Sequence, residues 1–202
     1  PNHPYGRPSD GNLESIRIIK LVDLKLFVSQ RLALDNLIIS AVGDITPGKL
    51  KTVLDQIFGA LPPKASPWKI TEITPQSANS TVVIEKSIPQ SVILFGQAGI
   101  KRNHPDFYAA YVMNYVLGGG GFESRLYEEI REKRGLAYSA YSYLYPLDHA
   151  GLIIGGTSTA NARVNETLSV LKNEWRRMSQ KGLTPEELKD AKTYLTGSYA
   201  LR

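Results

Sequence analysis

The chain has 202 residues, 42% apolar and 21% charged, with no cysteine. This length and composition fit one large or two small folded domains with real cores, and exclude disulfide scaffolds, thiolate zinc sites, iron–sulfur clusters and cysteine nucleophiles. The net charge of +5 is spread evenly, nine basic against seven acidic residues over 1–75 and fifteen against twelve over 76–202. Nucleic acid is therefore not expected as a partner, because phosphate recognition needs clustered positive charge.

In chain order, residues 1–12 are turn-rich and read as loop. Residues 13–34 have a helical pattern in two pieces, with Leu24, Phe27, Val28 and Leu32 on one face of the second. Residues 36–42 (NLIISAV) form a short apolar run between turn residues and predict a buried strand. Thr46 and Pro47 suit the N-cap and first position of a helix that reaches about Phe58. Residues 59–80 contain Pro62, Pro63, Pro67 and Pro75 and read as a linker, with a short strand expected near Trp68.

The second half predicts strands over 81–85 and 90–99 and a buried helix over 105–117. The glycine run Gly118, Gly119, Gly120 and Gly121 precedes an amphipathic helix expected over 122–134, with Phe122, Leu126 and Ile130 on one face and Gly135 as its stop. Two strands follow over 137–145 and 151–158. Strand alternation places Tyr141, Tyr143 and Tyr145 on one face and Tyr138 on the other. Val164, Leu168, Leu171, Trp175 and Met178 form a helical stripe, and Thr184, Pro185 and Glu187 make a capping box for a final helix to about Tyr199. No apolar run reaches the roughly 18 residues of a membrane-spanning helix, and no signal peptide is visible. The chain opens without Met and closes in a helical pattern, so both ends are read as truncated, with a lost leader compatible with that opening.

The local chemistry is sparse. His3, His104 and His149 stand apart from one another and from zinc-motif spacing, so no metal site is expected within the chain. Glu128, Glu129 and Glu132 are matched by Arg125, Arg131, Lys133 and Arg134, which reads as a solvated, charge-laced helix face. The glycines lack the Lys-Ser/Thr of a phosphate loop, and they are followed by Glu123, which opposes an anion. Two TPxxLK segments, at 46–51 and 184–189, are read either as the relic of a duplication or as two ordinary Thr-Pro helix starts.

Residues 117–142, LGGGGFESRLYEEIREKRGLAYSAYS, resemble the signature of the second domain of pitrilysin-type (M16, insulinase-like) zinc peptidases, of the processing-peptidase-like subgroup. LTPEELKDAKTYLTG at 183–197 follows in family order, and HPYGRPSDGNLESI and DNLIISAVGDI resemble the end of the family's first domain. The resemblance implies an α+β fold, a mostly antiparallel sheet covered by helices on one side, the pitrilysin/LuxS-like metallohydrolase domain, duplicated in the parent. It divides the chain into residues 1–58 as the end of the first domain, 59–80 as linker and 81–202 as a truncated second domain, which favours the duplication reading of the TPxxLK pair.

In active relatives the first domain carries zinc on an inverted HxxEH motif and a distal glutamate, none of which is present here. Zinc is thus expected in the parent protein or its partner and not in this chain. The second domain contributes an Arg/Tyr pair seven residues apart, which carries over to Arg131 and Tyr138 as contacts to the substrate carbonyl and oxyanion. Gly118 to Gly121 and Phe122 match the segment implied in peptide handling. The implied function is that of a fragment of a zinc-dependent endopeptidase acting on unfolded, extended peptides, inactive alone. The alternative is a non-catalytic structural or partner subunit of a heteromeric peptidase or core-protein-like complex. The expected partners are an extended peptide and the missing zinc-bearing domain or a homologous subunit, and the bacterial periplasm is favoured over the cytoplasm.

Overall fold

The computed structural model describes residues 3–76 and 81–201. The chain divides into two compact units between Thr71 and Glu72, a boundary inside the proline-rich stretch. The expectations for residues 77–80 lie outside the described residues.

The first unit holds helices α1 (Leu13–Ile18), α2 (Leu21–Arg31) and α3 (Pro47–Phe58). Asn12 caps α1 by accepting the Ser15 N–H, and Thr46 caps α3 by accepting the Lys49 N–H, with Pro47 at the first turn as the sequence requires. Residues 62–68 return along the end of α2. Leu34 N–H donates to Pro62 C=O, Ser66 N–H to Gln30 C=O, and Arg31 stacks 3.8 Å over the Trp68 ring. No strand forms near Trp68.

Two further strand expectations fail. Asn36 ends the 3-10 turn Leu34–Asn36 and residues 37–42 are irregular, with Ile38 93% and Val42 103% exposed, and residues 81–85 are irregular with Val82, Val83 and Ile84 exposed. A strand exists only against a neighbour that satisfies its N–H and C=O groups, and no strand among the described residues pairs with either run. The apolar face of α2 at Leu24, Phe27, Val28 and Leu32 is likewise exposed.

The second unit is built on an antiparallel sheet of β1 (Gln90–Ala98), β2 (Ala137–Leu147) and β3 (Ala150–Ala160) in the order β1-β3-β2. One face is covered by helices. These are α4 (Phe107–Asn114) with its π-helical extension Tyr115–Gly119, α5 (Arg125–Tyr127) with the π turn Glu128–Glu132, α6 (Val164–Lys181) and α7 (Pro185–Gly197). Leu117, Leu126, Ile130, Ala140, Leu171 and Met178 form the core between these layers, with Ile93 and Phe95 packed on it. Each such large side chain contributes about 1.5–3 kcal/mol by burial. Thr184 and Glu187 complete the capping box that starts α7. The opposite sheet face carries the exposed side chains of Val92, Leu94, Tyr141, Tyr143 and Tyr145.

The segment after the boundary belongs to this unit. The Glu72 carboxylate meets Lys101 Nζ at 2.9 Å and His149 Nδ1 at 3.3 Å, and Ile73 N–H donates to the His149 carbonyl. No described helix is long and apolar enough to cross a membrane.

Candidate functional site

Arg131 and Tyr138 are brought together by three local features. The helix carrying Arg131 ends at Gly135, whose φ of 56° only glycine adopts freely. Gly135 N–H donates to Arg131 C=O at 2.9 Å and Leu136 N–H to Ile130 C=O at 2.8 Å, a Schellman-like ending in which each bond spans one residue more than usual. The chain then enters β2 through a β-bulge: Ala137 faces Thr159 and Ala140 faces Thr157, so three steps on β2 match two on β3.

The bulge interrupts the simple alternation on which the two-face reading of the tyrosines rests. Ala137 packs on the core as Ala140 does, and Tyr138 is 82% exposed beside Arg131. The Tyr141 and Tyr143 rings stack at 6.2 Å and 20°. With Leu94, Gly96 and Ile154 they line a shallow groove of about 390 Å³.

The Arg131 guanidinium lies 4.6 Å from the Tyr138 ring centre, 4.8 Å from Tyr127 and 5.9 Å from Phe122. It is held by ring faces through cation–π attraction. Its nearest carboxylate among the described residues is Glu132 at 3.8 Å. The other cations of the segment are committed. Lys133 Nζ contacts Glu128 at 3.0 Å and Glu129 at 2.7 Å, Arg134 contacts Glu129 at 2.5 Å, and buried Arg125 makes a bidentate pair with Glu187. The hydrogen bond from Lys133, opposed by partial burial and aided by Arg134, holds the Glu129 carboxyl below its ordinary range. Arg125, aided by the Thr184 N–H, holds Glu187 down to about 2. A half-buried guanidinium and an exposed phenol, both hydrogen-bond donors, thus lie side by side.

The expected continuous helix over 122–134 is instead a 3-10 turn Gly121–Glu123, the short α5 and a π turn. Leu126 and Ile130 are fully buried, but Phe122 is 77% exposed and packs edge-on at 4.9 Å against Tyr127. Tyr127 is the contact that the sequence reading missed, although its i,i+4 spacing to Arg131 marks a helical neighbour.

The glycine run has its own steric logic. A Cβ on Gly118 would lie 2.5 Å from Ser142 Oγ and 2.6 Å from Ser142 N, so only glycine lets the end of the α4 extension press onto β2. Gly118 is buried, whereas Gly119 and Gly121 are exposed. No group of three or more His, Cys, Asp or Glu side chains able to hold a metal ion occurs among the described residues.

An antiparallel sheet with helices on one face and the motif residues of 117–142 at its end is the architecture of the pitrilysin-like metallohydrolases. The family profile of the peptidase M16 inactive domain matches residues 19–195, and this chain belongs to that family. It is similar to a Streptomyces coelicolor protein named as an uncharacterized zinc protease, 30% identical across 99% of this chain and 45% of that protein. It is 33% identical to the Helicobacter pylori non-peptidase homolog YmxG, across 100% of this chain and 46% of that protein. Among solved structures, a peptidase M16 inactive domain from Pseudomonas fluorescens is 36% identical with a TM-score of 0.89, covering 98% of this chain and 48% of that one. The chain spans about half the length of the curated relatives it matches.

Proposed function

We propose that this chain is the substrate-gripping, zinc-free part of a zinc-dependent endopeptidase that cleaves unfolded peptides, inactive by itself. The observation that carries this reading is the Arg131–Tyr138 pair, in which the guanidinium rests on ring faces with Glu132 no nearer than 3.8 Å, while every other cation from 125 to 134 is paired with a carboxylate at 3.0 Å or less. In the proposed role the Arg131 guanidinium holds a substrate carbonyl. The Tyr138 phenol donates to the oxygen on which charge develops, a contact worth about 10²–10³ in rate when a single such donor is lost. Exposed Phe122 and Gly121 are the loop residues available to an extended peptide, and buried Gly118 serves as their support. Residues 1–58 close the first domain of the parent and residues 81–202 build most of the second. The zinc belongs to another part of the parent or to a partner subunit.

The test is cleavage of a quenched fluorescent peptide by the full-length parent, with and without chelator, beside Arg131→Ala and Tyr138→Phe. Chelator-sensitive cleavage that drops at least about tenfold in either variant supports the reading. A second reading, a non-catalytic partner subunit that lends the pair to a zinc-bearing companion, is favoured by the name of the Helicobacter pylori relative. It predicts no cleavage by the parent alone and cleavage once the companion is added.

A further inference from the structure

The charge pairing around Arg131 follows the register of a π turn. In an α-helix the neighbours of Glu128 are the residues three and four positions on, Arg131 and Glu132, and an i,i+3 Glu–Arg pair is an ordinary ion pair. Here Glu128–Glu132 is a π turn, with Lys133 N–H donating to the Glu128 carbonyl five residues back. The wider turn brings residues five apart over one another. Lys133 Nζ sits 3.0 Å from Glu128 Oε1, and Arg134 Nη1 sits 2.5 Å from Glu129 Oε2. Lys133 also closes on Glu129 at 2.7 Å. Arg131, the α-helical partner of Glu128, is left against the rings of Tyr127 and Tyr138.

We propose that the π turn, pinned by Lys133 and Arg134, is a positioning device that occupies Glu128 and Glu129 and so keeps the Arg131 guanidinium away from those carboxylates and stacked beside Tyr138. Lys133 and Arg134 are positioning residues: they touch the two carboxylates and act on Arg131 through them. The use of Arg131 toward peptide rests on the function proposed above, whereas the positioning itself stands on the register alone. Single-turn π segments recur at functional sites because they re-aim side chains without breaking the helix.

The test follows the Arg131 side chain by NMR in the full-length protein, labelled with ¹⁵N-arginine and assigned through Arg131→Lys. Ring faces shield the Arg131 Nε–Hε and Hδ protons, so the unmodified protein shows upfield shifts. In Lys133→Met/Arg134→Met the freed Glu128 captures Arg131 and that shielding is lost. Adding Glu128→Gln/Glu129→Gln restores it. Lys133→Met alone, at a half-exposed site, gives a smaller displacement in the same direction. Shielding that persists in the double variant, or that is not restored in the quadruple one, overturns the proposal. Peptide cleavage by the same proteins separates the two ideas. If the shifts follow this pattern but Arg131→Lys cleaves normally, the positioning holds and the substrate role of Arg131 falls.

Discussion

Arg131 and Tyr138 stand seven positions apart in the sequence, yet the guanidinium lies 4.6 Å from the centre of the phenol ring. That approach depends on a π turn that contains Arg131, a left-handed glycine between the two and a bulge beside Tyr138. Each feature adds or re-aims one residue, and an unbroken α-helix followed by a regular strand would place the pair differently.

Gly135 is the most exposed to test of the three. A Cβ there meets nothing within 4 Å, so a substitution is opposed by backbone conformation alone. Gly135→Ala is expected to destabilise the protein by about 1–2 kcal/mol, the cost of a left-handed conformation for an L-residue, while Gly135→Asn costs less. Denaturant unfolding reads this as a lowered midpoint at constant slope. Equal losses in both variants would show that the left-handed backbone is not what the position demands.

The Arg125–Glu187 pair makes stability depend on pH in a defined window. Arg125 donates to the carboxylate at 2.6 and 2.5 Å, and Thr184 N–H adds a bond at 2.7 Å. Arg125 holds the folded-state pKa at about 2, against 4.5 for the free group. A depressed carboxylate pKa stabilises the folded state above the unfolded pKa, and that stability fades as pH falls from 4.5 toward 2. The contribution is about 3 kcal/mol. Glu187→Gln is expected to cost about 3–5 kcal/mol near neutral pH because it strands a buried guanidinium. The gap between the two proteins should narrow as pH drops through that window; a gap that stays constant from pH 7 to pH 2.5 would contradict the assignment.

What the sequence shows and what it hides divide along physical lines. The strands at 90–98, 137–147 and 150–160 and helices α6 and α7 carry their own periodicity and caps, so local pattern finds them. Residues 36–42 and 81–85 have equally strand-like composition, but a strand is a relation to a neighbour, and composition does not say whether a neighbour is there. The surroundings of Tyr138 are hidden because alternation counts residues, and a bulge inserts one without changing the sequence's appearance. The π turn is hidden for the same reason: Glu128, Arg131 and Glu132 read as an α-helical charge lattice until the i+5 pairs to Lys133 and Arg134 are seen. Resemblance identified Arg131 and Tyr138 in the sequence, and their proximity came only with the fold.

Gly118 separates a packing role for the glycine run from a handling role. Its missing Cβ would sit 2.5 Å from Ser142 Oγ and 2.9 Å from Leu126 Cδ1, in a closed layer between α4's extension and β2. Gly118→Ala is expected to destabilise by about 1–3 kcal/mol through overpacking. Thermal unfolding measures this directly. A fully stable Gly118→Ala protein with altered peptide cleavage would instead make the residue a handling element.

Asn114 and Ser142 form the buried joint next to that contact. Asn114 Nδ2 donates to the Ser142 carbonyl at 3.1 Å and Ser142 Oγ donates to Asn114 Oδ1 at 2.9 Å, both side chains being buried. Removing one partner leaves the other desolvated and unpaired, so Asn114→Ala and Ser142→Ala are each expected to cost about 1–3 kcal/mol. The double variant removes both members of the Ser142 Oγ–Asn114 Oδ1 bond, and its loss should fall short of the sum by about 0.5–3 kcal/mol. The double-mutant cycle, run by denaturant unfolding, measures that coupling. Strict additivity would mean that the bond between Ser142 Oγ and Asn114 Oδ1 contributes nothing of its own to holding α4 on β2.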